Sequence, residues 1–117
     1  PQSNYPDRQE HHITEAGREV LTLWLSDGPV ESPERDPFMG QVFFAAELER
    51  EDIEKLLVKR REATQFILDD YLSQREWIDM RAAADRRSFL MAATLDNAIR
   101  QQAAQLEWLD AVLEYLP

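Results

Sequence analysis

The sequence predicts a mostly α-helical fold, with a short N-terminal strand followed by four helices, two of them long and antiparallel. Only three of the 117 residues are glycine, which indicates few turns and much helix. Two long segments in the second half of the chain keep apolar residues at helical spacing, and neither contains glycine. The length allows the core of one domain.

The N-terminal segment predicts a loop and then a capped helix. Its first twelve residues, PQSNYPDRQEHH, are polar and aperiodic, so we expect a loop with at most a strand around Glu10–Ile13. Thr14 is suited to cap a helix, and Gly28-Pro29 supplies a stop after Asp27. Between these signals the apolar stripe consists of Ile13, Gly17, Val20, Leu21 and Trp24.

The sequence Asp36-Pro37 predicts the start of a second helix, because it combines a capping carboxylate with proline at the first helical position. We expect this helix to run to about Glu47, with a turn at Leu48–Asp52 after it. Its predicted buried face consists of Phe38, Met39, Val42, Phe43 and Ala46.

The two long helices are predicted from their apolar stripes. The first stripe starts after Glu51 and consists of Ile53, Leu56, Ala63, Ile67, Tyr71 and Ile78. A helix over 86–116, about 46 Å long, carries a regular seam with alternating steps of three and four residues. This seam consists of Ala92, Leu95, Ile99, Gln102, Leu106, Leu109, Leu113 and Leu116.

Two interpretations of the final seam stay open. It is either one edge of an antiparallel bundle within the chain or the contact between two subunits. We expect subunit contact, because one chain with two long helices does not easily cover both stripes. The predicted homodimer interface consists of Leu95, Ile99, Gln102, Leu106, Leu109, Leu113 and Leu116, with Ile67 and Tyr71 from the preceding helix.

Composition and motifs argue against an enzyme, a cofactor or a metal site. The net charge of −10 repels phosphate backbones, and there is no cysteine. The adjacent His11 and His12 cannot both face one metal on a strand or on a helix. No phosphate loop or nucleophile motif is present. The longest apolar run, Val42–Ala46, is far too short to span a membrane, and we expect a cytoplasmic protein.

The basic and tryptophan residues each have two interpretations. Lys59, Arg60 and Arg61 form one basic cluster, and Arg81, Arg86 and Arg87 form another; we expect solvent-facing charge, with phosphate contact as the alternative. The three tryptophans are expected to anchor a core or an interface. The alternative is that an aromatic small molecule stacks near one of them: Trp24, Trp77 or Trp108.

The stretch HHITEAGREVLTLWLSDGPVESPERDPFMGQVFFA resembles the junction between domains in PadR-family transcriptional regulators, in the subfamily with a virulence-activator-alpha-type C-terminal domain. The matching elements are the strand-to-helix step His11–Arg18, the helix end Trp24-Leu25 and the helix start Arg35–Phe38. The closing LEWLDAVLEYL also resembles the family's last helix. The resemblance covers residues 11–117.

The resemblance implies that residues 1–13 are the remnant of a winged-helix wing, in which Arg8 would contact DNA. Residues 14–28 would form a connecting helix and 36–117 a helical dimerisation domain. The recognition helix would lie upstream of Pro1, so the parent protein would bind DNA through a part that this chain lacks. A small aromatic effector is a further implied partner. The alternative is a stand-alone helical adaptor for protein–protein contact; a ligand-binding or enzymatic bundle comes third.

Overall fold

The structure, a computed structural model, describes residues 12–33 and 35–117 and contains four α-helices there. These are α1 (Glu15–Ser26), α2 (Pro37–Phe44), α3 (Arg50–Arg75) and α4 (Arg86–Tyr115), with one-turn 3₁₀ helices at Ala45–Glu47 and Met80–Ala82. The prediction of a mostly α-helical chain with two long helices is confirmed. The chain divides into two units, Pro1–Asp36 and Pro37–Pro117, which are described separately.

The predicted strand is not found in the part of it that the structure describes. His12 and Ile13 are not in a strand, and Glu10 and His11 lie outside the described residues. Ile13 instead lies over the first turn of α1, where its Cγ1 would be 3.1 Å from a Cβ built on Gly17. Ile13 therefore lies against the first turn of the helix.

The predicted signals at both ends of α1 are confirmed. The Thr14 hydroxyl accepts a hydrogen bond of 3.0 Å from the Gly17 amide, which satisfies an amide that has no partner inside the helix. At the other end Gly28 has a φ of +91°, a conformation that residues with a side chain rarely adopt. The hydrogen bond at Thr14 and the backbone conformation of Gly28 mark the two ends of α1.

We expect Thr14→Ala to destabilise α1 by about 1 kcal/mol, because the Gly17 amide loses its acceptor. Hydrogen exchange of the α1 amides measures the effect, and Thr22→Ala, in the interior of the same helix, is the control. Equal protection of the Gly17 amide in Thr14→Ala and in the unmodified chain would contradict the cap.

The second unit is built on an antiparallel pair of long helices. Arg61 of α3 pairs with Asp110 of α4, and Arg75 at the end of α3 pairs with Asp96. Residue numbers thus rise along α3 while they fall along α4, as an antiparallel hairpin requires. Residues 76–85 connect the two helices. We call this connection, together with the first turns of α4 up to Met91, the hairpin tip.

Two apolar clusters fill the space between these helices. One contains Phe38 of α2 with Leu57 and Leu109, which are 1% and 0% exposed. The other consists of Leu68, Ile99 and Leu106. Thr64 lies between Leu57 and Leu68 along α3 and is the one buried polar residue in the described part of the chain.

The predicted seam of α4 is confirmed, but α3 of the same chain covers it. All eight of its residues are buried or half-buried, and they pack into the two clusters or beside them. The inward-facing residues of α3 and α4 cover each other. The predicted stripe of α3 is covered only in part, because its Ala63 and Ile67 are exposed, so the expected subunit contact stays a prediction.

The predicted stripe of α3 is correct in part, because Ile53, Leu56 and Tyr71 are half-buried and pack against the two clusters. The buried residues are Leu57, Thr64 and Leu68, whereas Ala63 and Ile67 are exposed. Both stripes have helical spacing, and packing against α4 selects the one that brings Leu57 and Leu68 inward. The helix also ends at Arg75, so Ile78 lies beyond it.

Helix α2 buries less than predicted. Phe38 is buried and Val42 is half-buried, while Met39, Phe43 and Ala46 are exposed. The helix has only eight residues, and it packs against α3 and α4 through Phe38. Ala45, in the 3₁₀ turn after it, supplies a further buried position.

Candidate interaction surface

The described residues do not bring together a metal site. Within 12–33 and 35–117 no three His, Cys, Asp or Glu side chains are close enough to hold a metal ion. None of the helices described is long and apolar enough to cross a membrane. Several carboxylates instead form ion pairs between or along the helices.

Asp96 is the centre of an ion-pair group near the tip of the hairpin. Its carboxylate accepts a hydrogen bond of 2.7 Å from Nε of Arg100 and also pairs with Arg75. The hydrogen bond from Arg100, with the charges of both arginines, lowers the pKa of Asp96 below its ordinary value. This group joins the end of α3 to α4 and thereby positions the hairpin tip.

We expect Asp96→Asn to lower the free energy of unfolding at pH 7 by more than at pH 3. Because folding lowers the pKa of Asp96, its contribution is present above the ordinary value of about 3.9 and disappears as the pH falls through the folded-state pKa. Urea unfolding at both pH values measures this. Glu107→Gln, on an exposed part of α4, is the control. An equal loss at both pH values would contradict the prediction.

The first basic cluster contributes to the fold. The Arg60 guanidinium carbon lies 4.5 Å from the centre of the Phe38 ring, and its Nη2 is 3.5 Å from Oε1 of Gln105. The Arg61 Nε donates a hydrogen bond of 2.6 Å to Asp110, which lowers the pKa of that carboxyl. These two arginines connect α3 with α2 and α4, while Lys59 is exposed.

The second basic cluster lies at the hairpin tip. Arg81 is exposed in the short 3₁₀ helix, and Arg86 and Arg87 are exposed in the first turn of α4. The partial positive charge of a helix N-terminus disfavours cations there by about 0.3–1 kcal/mol each. The stability of α4 therefore does not explain Arg86 and Arg87. They make the tip basic within an acidic chain.

The same tip exposes large apolar side chains. Trp77 is 87% exposed and Met91 is 54% exposed, and both line an open hollow of about 400 Å³. Ala82, Ala83 and Ala84 form another part of its wall. Phe89 and Leu90, on the first turns of α4, are also exposed. Exposed apolar groups with a polar rim are typical of protein contact sites.

Exposed apolar residues also occur away from the tip. On α3 these are Val58, Phe66, Ile67 and Leu72, and at the end of α4 it is Tyr115. On α2 the rings of Phe43 and Phe44 pack edge to face with their centres 5.0 Å apart, and both are exposed. The unit Pro37–Pro117 thus exposes apolar side chains at several places in addition to burying an apolar core.

The interface residues predicted from the sequence are separated by the fold. Of these, the seam residues of α4 lie toward α3, Tyr71 packs beside them, and Ile67 is exposed. Gln102 is half-buried, within the seam. Arg8, the predicted DNA contact, lies outside the described residues.

The three tryptophans do not share one environment. Trp24 is in the first unit, where it lines a small open hollow with Pro29 and Val30. Trp77 lies at the hairpin tip, and Trp108 packs against the cluster of Leu57 and Leu109.

Sequence reasoning missed the apolar tip. The run Phe89-Leu90-Met91 was a usable signal, because three consecutive helical residues point in directions about 100° apart. A single neighbouring helix therefore cannot cover all three. The run lies just before the seam, which begins at Ala92, and the regular spacing of the seam obscured it.

A comparison with protein families gives one match. Residues 34–117 match the family model described as "Virulence activator alpha C-term". The match covers the whole second unit and more than half of the chain. No curated protein and no solved structure matches.

Proposed function

Since this chain belongs to the virulence activator alpha C-terminal family, we propose that it is the dimerisation and effector domain of a PadR-type winged-helix transcriptional regulator. The family is that of a regulator's C-terminal domain and not of an enzyme. In this proposal two copies pair through the helical unit, and DNA is bound by winged helices in the parent protein. Such a regulator works in the cytoplasm, where the DNA is.

The apolar surface of the hairpin tip is the observation that supports the proposed dimerisation. Trp77, Leu90 and Met91 are exposed on a chain that already has an internal core. Tryptophan is among the residues that contribute most to binding energy at protein interfaces. In a two-fold symmetric dimer the same patch is used on both subunits, so one such patch is sufficient.

The tip accounts for pairing better than the seam of α4 does. The seam residues are already covered by α3, so a partner subunit would gain little apolar area from them. Ile67 is exposed and available to extend the contact along α3. We therefore propose an interface that centres on Trp77, with Ile67 at its edge.

Sedimentation equilibrium at micromolar concentration tests this function. We expect the mass of two chains. A compact monomer over the whole concentration range would contradict dimerisation, whereas a larger assembly would contradict a closed two-fold contact.

We expect this chain alone not to bind duplex DNA at sub-micromolar concentration and physiological salt. Its net charge of −10 repels the phosphate backbone, and Arg8 is the single DNA contact predicted for it. An electrophoretic mobility-shift experiment measures this, with the parent regulator as the positive control. A shift by the chain itself at sub-micromolar concentration would contradict the proposal that the winged helices of the parent protein bind the DNA.

A helical adaptor is the second candidate, favoured by the basic residues around Trp77. Arg81, Arg86 and Arg87 are suited to an acidic amphipathic helix of another protein. The two candidates differ in the occupant of the tip. A tip that stays accessible in a monomer favours the adaptor, and one protected in a dimer favours the regulator.

A further inference from the structure

A second hollow lies at the opposite end of the hairpin from Trp77. It has a volume of about 400 Å³ and is bounded by α2 with the turn after it, by the start of α3 and by the end of α4. Val42, Leu48, Ile53 and Val112 are among the residues that line it. All of its walls belong to the unit Pro37–Pro117.

The lining of this cavity is mostly apolar. Arg50 is the one charged residue among those that line it, and its guanidinium is paired with Glu54 one turn further along α3. The positive charge is therefore already compensated. A buried ionic group on a ligand would lose its hydration without gaining an unpaired partner charge, which is costly.

The surroundings of the cavity disfavour anions in particular. Acidic residues are dense where α3 begins, and they are exposed there: Glu47, Glu49, Glu51 and Asp52. Together with Glu54 they outnumber Arg50 and Lys55. The local charge thus repels a carboxylate or sulfonate, although an arginine lies in the wall.

We propose that this cavity binds a neutral, apolar small molecule with two or three rings. A cavity of about 150 Å³ holds a benzene molecule, so about 400 Å³ accommodates a larger ring system. The proposal rests on the effector role proposed above and specifies the site and the ligand chemistry. It locates the site within the unit Pro37–Pro117, at the end of the hairpin opposite Trp77.

The wall that α2 contributes gives ligand binding a structural consequence. Helix α2 has eight residues and Phe38 is its one buried residue, so it is held by few contacts. A ligand that touches Val42 and Ala46 adds contacts between this short helix and the hairpin. Binding should therefore slow hydrogen exchange of the amides in 38–48.

Two fluorescent probes with one ring framework test the chemistry. N-phenyl-1-naphthylamine is neutral, and 8-anilinonaphthalene-1-sulfonate adds a negative charge. We expect the neutral probe to bind with an affinity about tenfold or more above that of the sulfonate. It should also slow exchange in 38–48.

Ala46→Leu tests the location. Ala46 lines the cavity but is exposed, so a larger side chain there narrows the cavity without disturbing the core. We expect Ala46→Leu to lower the affinity for the neutral probe about tenfold. The matched control is Ala84→Leu, the same change in the hollow at the hairpin tip, which should leave probe affinity unchanged.

The outcomes separate this proposal from dimerisation. Tighter binding of the sulfonate, with its loss in Arg50→Gln, would overturn the neutral chemistry. Equal probe affinity in Ala46→Leu and the unmodified chain, or a loss only in Ala84→Leu, would overturn the location. Sedimentation of the same samples reports the oligomeric state, so a dimer without probe binding refutes the cavity proposal alone.

Discussion

Leu109→Ala should lower the free energy of unfolding by about 2–5 kcal/mol, because it removes buried methyl groups and leaves a cavity between α3 and α4. Leu109 is 0% exposed and packs with Leu57 and Phe38, so three elements of the unit lose contacts at once. Whole domains are stable by only about 5–15 kcal/mol. Urea unfolding followed by circular dichroism measures the loss.

Leu72→Ala is the matched control for that experiment. It is the same substitution on the other long helix, at a residue that is 41% exposed. We expect it to cost about 1 kcal/mol or less. If Leu109→Ala were as mild as Leu72→Ala, the centre of the core would not lie between Leu57 and Leu109.

Trp77→Glu should convert the proposed dimer into a folded monomer. The substitution removes a large aromatic side chain from the centre of the proposed interface and puts there a carboxylate, whose hydration is lost when two subunits meet. A residue of this kind contributes about 2 kcal/mol or more to association, so dimer affinity should fall by about thirtyfold or more. Trp77 is 87% exposed, and the fold of the chain should therefore tolerate the change.

Tyr115→Glu is the control for the interface. Tyr115 is 78% exposed and ends α4, whereas the tip lies at the start of this helix of 30 residues. Sedimentation equilibrium of both variants, with circular dichroism as a check of folding, gives the comparison. If Tyr115→Glu yields a monomer while Trp77→Glu stays dimeric, the interface lies at the C-terminal end of α4.

The buried seam changes what a substitution within it can reveal. Leu106 packs against Leu68 and Ile99 inside the chain. Leu106→Asp would therefore unfold the hairpin before it could report on pairing. Exposed residues such as Trp77 separate the two effects, because they do not contribute to the internal clusters.

Local signals in the sequence are enough to predict the helices whose ends carry a cap, a turn or a proline. Thr14 and Gly28 bound α1, and Pro37 begins α2. The predicted helix over 86–116 agrees closely with the observed Arg86–Tyr115. A cap, a turn or a helix-starting proline acts through atoms a few residues away, so such signals can be recognised without the fold.

Packing between the helices selects which apolar stripe of each helix lies inward and which residues cover it. On α3 the stripes of Leu57 and of Leu56 both have helical spacing, and contact with Leu109 buries the first almost completely. The same packing covered the seam of α4 and left Trp77 exposed. Burial depends on partners that are distant in the sequence, and periodicity along one helix does not identify those partners.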